Sequence, residues 1–170
     1  MNIALIGFRG TGKTTIAKLL AKKMDKKLIS TDKEMEKKTK SSIAKFVKKN
    51  SWEKFRDVEA QIIENISGFD ECIFDTGGGI ILRNENITNL KKNSLIILLT
   101  ADIKTITNRI KSGTKRPSLT GKEHLAEIAQ VMQERESRYK NAADYEIDTS
   151  RLSPQEACDL IIHYVQMELK

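Results

Sequence analysis

The chain is short of several things at once, and each shortage removes a class of protein. Its 170 residues include two cysteines, two histidines and one tryptophan. No apolar run approaches the roughly 20 residues that a membrane-spanning helix needs. Cys72 and Cys158 lie far apart in apolar surroundings. That pattern reads as small buried hydrophobes in a reducing compartment rather than a disulfide or a reactive thiol. His124 and His163 stand apart from each other and suggest no metal site. The first residues run straight into a strand pattern with no signal-peptide organisation, so a cytoplasmic location is expected. Aromatics make up 5% of the chain, and no RNA- or DNA-binding signature accompanies them despite a net charge of +7. Thirteen lysines fall between Lys18 and Lys54, which reads as a solvated basic face that attracts small anions rather than a nucleic-acid footprint. Arginine is the scarce cation, eight against twenty-two lysines. Repeats, low-complexity linkers and breaks in composition are missing as well, which fits one domain over residues 1–170.

Against that background one motif stands out. Residues 7–14 read Gly7-Phe8-Arg9-Gly10-Thr11-Gly12-Lys13-Thr14, a complete G-x-x-x-x-G-K-[ST] phosphate loop. It follows the apolar run Ile3-Ala4-Leu5-Ile6 and opens a helical pattern at Ile16, Leu19, Leu20 and Met24. Strand, glycine loop and helix N-terminus together present backbone N–H groups and a partial positive charge to phosphates. Lys13 is expected to reach the β and γ phosphates and the Thr14 hydroxyl to ligate Mg²⁺. Arg9 occupies a freely variable position of the motif and is read as facing solvent.

Apolar runs alternate with amphipathic ones along the whole chain. Strands are predicted at Asn2–Ile6, Lys27–Ser30, Glu71–Asp75, Ser94–Leu99 and Tyr145–Asp148. Helices are predicted at Lys13–Met24, Lys33–Lys38, Ser41–Lys48, Trp52–Ile66, Asn84–Lys92, Ile103–Ser112, Glu123–Asn141 and Pro154–Glu168. Continuously apolar strands such as Leu95–Leu99 are buried on both faces, as in a parallel sheet covered by helices. The expected fold is therefore α/β, a three-layer α/β/α arrangement around a five-stranded parallel sheet. Ligands then belong at the carboxyl ends of the strands. Glycines concentrate there: three in the phosphate loop, three in Gly77-Gly78-Gly79 after the third strand, and Gly113 and Gly121 flanking the polar segment 114–120.

The same rim collects the residues able to carry out phosphoryl transfer. The second strand ends Ile29-Ser30-Thr31-Asp32, and Asp32 is suited to accept the proton of a substrate hydroxyl. The third ends Ile73-Phe74-Asp75, an apolar run followed by an aspartate that could stand near Mg²⁺. Arg56, Arg116 and Arg135 are candidates for gripping a carboxylate or phosphate with a planar fork. Arg116, in the Gly-flanked segment, suits a lid over the triphosphate.

This ordered set resembles the shikimate kinase family over nearly the full chain. The resemblance rests on Gly7–Thr14, on Thr31-Asp32 with Glu36, and on Phe55-Arg56 with Glu59. It continues through Gly77-Gly78-Gly79, Arg109, Arg116-Pro117 with Leu119, and Arg135 four residues before Tyr139. It implies a P-loop kinase fold with a mobile lid at about 112–123 and a substrate-binding helical segment at about 32–66. The activity implied is transfer of the γ-phosphate of ATP, with Mg²⁺, to the 3-hydroxyl of shikimate. By this match Lys13, Asp32 and Arg116 would be catalytic. ATP would sit on Gly10, Thr11, Gly12, Lys13, Thr14 and Thr15, with Arg116 on its phosphates and Arg109 and Arg151 flanking adenine. Shikimate would be held by Asp32, Arg56, Arg135 and the backbone of Gly77, Gly78 and Gly79. The metal would lie at Thr14 and Asp75.

The chain departs from the family pattern at three places: Ser30 replaces the first carboxylate of an Asp-x-Asp pair, Lys40 replaces a glycine, and Ser51-Trp52 replaces a Gly-Glu pair. Asp75, on the neighbouring strand, is read as supplying the charge that Ser30 lacks. Beyond shikimate, the implied partners are none: no nucleic acid, no membrane, and a monomeric protein. The competing readings are a kinase of the same fold acting on another small hydroxy acid or a nucleotide, a nucleotide-binding regulator without an acceptor, and, prompted by the charge, a nucleic-acid kinase whose oligonucleotide binding would weaken steeply with salt.

Overall fold

A computed structural model of the chain describes residues 1–112 and 125–169. Five short strands, β1 (Asn2–Ile6), β2 (Lys27–Ser30), β3 (Cys72–Asp75), β4 (Ser94–Thr100) and β5 (Tyr145–Asp148), form one sheet in the order β2-β3-β1-β4-β5. Every pairing is parallel. The helices among the described residues are α1 (Lys13–Met24), α2 (Thr31–Thr39), α3 (Ile43–Lys49), α4 (Trp52–Ile66), α5 (Asn84–Lys91), α6 (Ile103–Ser112), α7 (Leu125–Ala142) and α8 (Pro154–Glu168). The expected α/β architecture and strand positions are thus found. The predicted lid segment with Arg116 lies outside the described residues.

Alternation along the strands explains why they are apolar throughout. Ala4, Ile6, Phe74, Ile96 and Leu98 enter a core with Phe55, Ile62 and Ile63 of α4 and Tyr139 of α7. Ile3, Leu5, Ile73, Ile97 and Leu99 enter a second core with Ile16 and Leu20 of α1 and Ile161 and Val165 of α8. Successive side chains point to opposite faces, so a sheet covered on both faces has no place for polar alternation.

Two helix starts set where the polar residues of the strand rim stand. The helix predicted from Lys33 begins at Thr31, which puts Asp32 in the first turn of α2. Acidic residues at that end are favoured by the helix dipole, and Asp32 and Glu34 both occupy it. Thr31 is buried, and its Oγ1 accepts the Gly77 N–H at 3.1 Å. The start of α2 is thereby fixed to the loop after β3. A 3₁₀ turn at Ile80–Leu82, which the sequence pattern did not predict, continues that loop into α5. At α4, Ser51 caps the helix by accepting from the Lys54 N–H at 3.1 Å, which brings Trp52, Phe55 and Arg56 in at its first turns.

Gly7, at the end of β1, has no substitute. It sits at φ 140°, and an added Cβ would lie 2.2 Å from the Leu99 carbonyl oxygen. Gly7→Ala is expected to cost about 3 kcal/mol in chemical denaturation, combining backbone strain with a main-chain clash. Gly68→Ala, where an added Cβ meets nothing within 4 Å, should change stability by no more than about 0.5 kcal/mol. Equal stabilities of the two variants would contradict this account of the β1–β4 junction.

Candidate active site

The phosphate loop runs from β1 into α1 with Gly7, Gly10 and Gly12 all at positive φ. Lys13 is buried, and its Nζ donates to the carbonyls of Gly7 at 2.7 Å and Phe8 at 3.0 Å. The Thr11 hydroxyl donates to the same Phe8 carbonyl at 2.8 Å. The loop is therefore wound about its own lysine, with the ammonium already at its centre.

A cleft of about 310 Å³ opens on the outer side of the loop, lined by Gly10, Thr11, Gly12, Thr15, Arg109 and Pro154 among others. Five of the residues assigned to ATP thus share one cleft, directly beside Lys13 and Thr14. Arg109 reaches it from α6, donating to Gly10 O at 3.2 Å, Thr149 Oγ1 at 3.0 Å and Thr149 O at 2.9 Å. Arg151 is exposed and does not line this cleft. The wall there is formed instead by Leu152 and Pro154.

A second cleft lies across the glycine triplet. Asp32, Arg56, Gly77, Gly78, Gly79 and Arg135 all line it, so every residue assigned to the acceptor comes to one place. Its walls also include Phe8, Arg9, Trp52 and Glu59. Arg56 is held on three sides. Its Nη1 donates to Glu59 Oε2 at 2.5 Å, and its guanidinium lies 5.5 Å from the Trp52 ring centre and 4.9 Å from that of Phe55. Trp52 and Phe55 meet edge to face at 5.4 Å, and both line this cleft. Arg135 Nη1 donates to Gly78 O at 3.3 Å, and the buried Tyr139 hydroxyl donates to the same oxygen. Burial pushes the Tyr139 phenol up to about 12, so it remains a neutral donor.

Glu59 is 3% exposed. Burial raises its pKa, opposed first by the charge and hydrogen bond of Arg56 and then by Arg83 and Arg135. The two clefts adjoin through the loop itself. Gly7 O, which accepts from Lys13, lies 3.4 Å from where a Cβ of Gly78 would stand.

Asp75 ends β3 with 7% exposure, and its Oδ2 accepts from the Thr14 hydroxyl at 2.8 Å. Burial raises its pKa, countered by the Thr14 hydrogen bond and the charge of Lys13. A hydroxyl and a carboxylate side by side at the phosphate loop are hard oxygen donors, which fit Mg²⁺. No group of three or more His, Cys, Asp or Glu side chains able to hold a metal occurs among the described residues.

Arg9 departs from expectation: it is half-buried and lines the acceptor cleft instead of facing solvent. Glu59 belonged to the motif but carried no assigned role. Its i,i+3 spacing from Arg56 on a helix was the available signal. Thr31 belonged to the motif but carried no assigned role, and Thr149 was missed altogether, since their partners lie 46 and 40 or more residues away.

Comparison with known proteins bears on the family and the fold. The family model described as shikimate kinase matches residues 9–166. The shikimate kinase of Caldicellulosiruptor bescii is 40% identical over 161 residues, covering 95% of this chain and 93% of that protein. That of Pelotomaculum thermopropionicum is 36% identical over 165 residues, covering 97% and 95%. Among solved structures, the Acinetobacter baumannii shikimate kinase in complex with shikimate superposes with a TM-score of 0.92 at 24% identity, covering 98% of this chain and 93% of that one. With a matching family model over almost its whole length and full-length relatives well above 30% identity, this chain belongs to the shikimate kinase family.

Proposed function

We propose that the chain is an ATP-dependent shikimate kinase that transfers the γ-phosphate of ATP to the 3-hydroxyl of shikimate. The observation that carries this reading is the gathering of Asp32, Arg56, Arg135 and the Gly77–Gly79 backbone in one cleft beside the phosphate loop. An acidic, hydroxylated ring is what such a cleft suits: arginine forks for its carboxylate and an aspartate for its hydroxyls.

In the reaction, Asp32 accepts the proton of the 3-hydroxyl as its oxygen bonds to the γ-phosphorus. The bond from that phosphorus to the β–γ bridging oxygen breaks, leaving ADP. Lys13 exchanges the carbonyls of Gly7 and Phe8 for phosphate oxygens and neutralises charge on the transferring group. Arg56 and Arg135 hold the acceptor in line, where positioning supplies most of the acceleration. Arg109, with Leu152 and Pro154, walls the adenine side, and Arg116 serves the phosphates by motif. Thr14 and Asp75 would hold Mg²⁺, which when bound neutralises the β and γ phosphate oxygens.

ATP consumption with Mg²⁺ should depend on shikimate and be absent with nucleoside monophosphates or other hydroxy acids at equal concentration. Shikimate-independent turnover would favour a nucleotide-binding regulator instead. Arg56→Lys keeps the charge beside Glu59 but loses the fork. It should raise the shikimate KM about tenfold or more while the ATP KM stays within about twofold. An unchanged shikimate KM would remove Arg56 from the acceptor site. Asp75→Asn should weaken Mn²⁺ binding to the ADP complex about tenfold, as measured by electron paramagnetic resonance. Ser30 and Asp75 pair directly in the β2–β3 register, so adding Ser30→Asp to that variant should recover much of the loss. Unaltered Mn²⁺ affinity in Asp75→Asn would exclude Asp75 from the metal's surroundings.

A further inference from the structure

The outward-facing carbonyls of the phosphate loop are held by a hydroxyl that belongs to no part of the motif. Thr149 follows β5 and is 2% exposed. Its Oγ1 lies 2.9 Å from the Thr11 carbonyl oxygen and 2.9 Å from that of Thr100, and it accepts from Arg109 Nη1 at 3.0 Å. A hydroxyl carries one proton and can donate to only one of those carbonyls at a time. Thr100 O already receives the Thr149 N–H at 2.8 Å. The Thr11 carbonyl therefore gains most from the proton.

Arg109 reinforces this arrangement. While it donates to Thr149 Oγ1 it also takes the Thr149 carbonyl at 2.9 Å and the Gly10 carbonyl at 3.2 Å. Two successive loop carbonyls, Gly10 and Thr11, are thus turned outward to the ends of β5 and α6. A trans peptide is planar, with its N–H opposite its C=O. Holding the Thr11 carbonyl toward Thr149 points the Gly12 N–H the other way, away from Thr149. Gly12 sits at φ 95°, and an added Cβ there would approach only Ile16 Cδ1, at 3.5 Å. Within the loop, Thr11 N donates to Phe8 O at 3.4 Å and Gly12 O accepts from Ile16 N at 3.0 Å, so the Thr11 carbonyl is the group of that peptide held from outside.

We infer that Thr149 is a positioning residue of the nucleotide site, acting through the Thr11–Gly12 peptide, which it locks in the orientation that presents its N–H to bound phosphate. This rests on the ATP reading for the ligand but not on the identity of the acceptor.

The test uses Thr149→Val, Thr149→Ala and Thr149→Ser in the full chain, with ADP and Mg²⁺ titrated by calorimetry and stability measured in parallel. Both hydroxyl-free variants should bind ADP about tenfold more weakly, the effect of one buried hydrogen-bonding group. The ATP KM should rise in step, and the shikimate KM should stay within about twofold of wild type. Thr149→Ser, which keeps the hydroxyl, should bind ADP as the wild type does. Wild-type ADP affinity in a folded Val or Ala variant overturns the inference, and so does a Ser variant as weak as Val. Loss of folding in both hydroxyl-free variants also overturns it, in favour of a purely structural link between β4 and β5. Failure of the shikimate reading would appear separately, as intact ADP binding without shikimate-dependent turnover.

Discussion

The candidate site depends on how closely the loop after β3 packs against its neighbours. The Gly77–Gly79 segment lines one cleft with Phe8 and Arg9 of the phosphate loop and lies against that loop, Glu59, Asp32 and Arg56. A Cβ at Gly78 would stand 3.4 Å from Arg9 N and from Gly7 O, both in the phosphate loop. A Cβ at Gly79 would fall 2.1 Å from the Arg56 guanidinium, and one at Gly77 would fall 3.3 Å from Asp32 Oδ1. The pairing of β1 with β3, Leu5 opposite Asp75, sets the two loops side by side, and Thr76 Oγ1 donating to Leu5 O at 2.8 Å fastens them. Phosphoryl transfer needs its reacting atoms near contact distance. A side chain at Gly79 would displace the Arg56 guanidinium from the cleft, whereas one at Gly78 would begin at ordinary contact distance from the phosphate loop.

The charge on the acceptor side follows from the same confinement. Glu59 is buried against the glycine segment at a desolvation cost that raises its pKa, and Arg56 is its foremost compensation. Such a pair is poor evidence of a stability gain, because removing two ions from water offsets much of their attraction. Its effect is better described as positional. Glu59 takes one edge of the guanidinium while the Trp52 and Phe55 rings restrict its plane. A carboxylate-bearing acceptor then meets a fork whose rotamer freedom is already lost, so binding spends less entropy on ordering it.

What could be read from sequence was what is local. The phosphate loop is eight consecutive residues between a strand and a helix. The five strands announce themselves by apolar runs, because a sheet buried on both faces needs them. The acceptor residues Asp32, Arg56 and Arg135 were reachable through the family resemblance, and the cleft does bring them together. Strand order was not legible, since it depends on which apolar runs neighbour each other in space. Nor was the early start of α2, which is tied to the Thr31 contact with Gly77. Arg9 was misjudged because a variable motif position says nothing about the loop across from it. Thr149 looks like any residue after a strand until β5 is placed beside β4 and α6.

Under the proposed Mg²⁺ site, Asp75 stands in for the carboxylate that the family pattern places at position 30. Ser30 and Asp75 are register partners on adjacent strands, about 4.8 Å apart by ordinary strand spacing. β3 lies between β2 and β1, so a carboxylate at Asp75 is one strand nearer the loop that carries Thr14 than one at Ser30 would be. From there it reaches the Thr14 hydroxyl directly. The move has a cost: Asp75 is deeply buried and its ionised form is disfavoured. The Thr14 hydroxyl and the charges of Lys13, Lys18 and Lys33 offset that cost in part. Under the proposed metal site, the same burial that weakens Asp75 as a free carboxylate would strengthen its attraction for a divalent ion brought in with nucleotide phosphates.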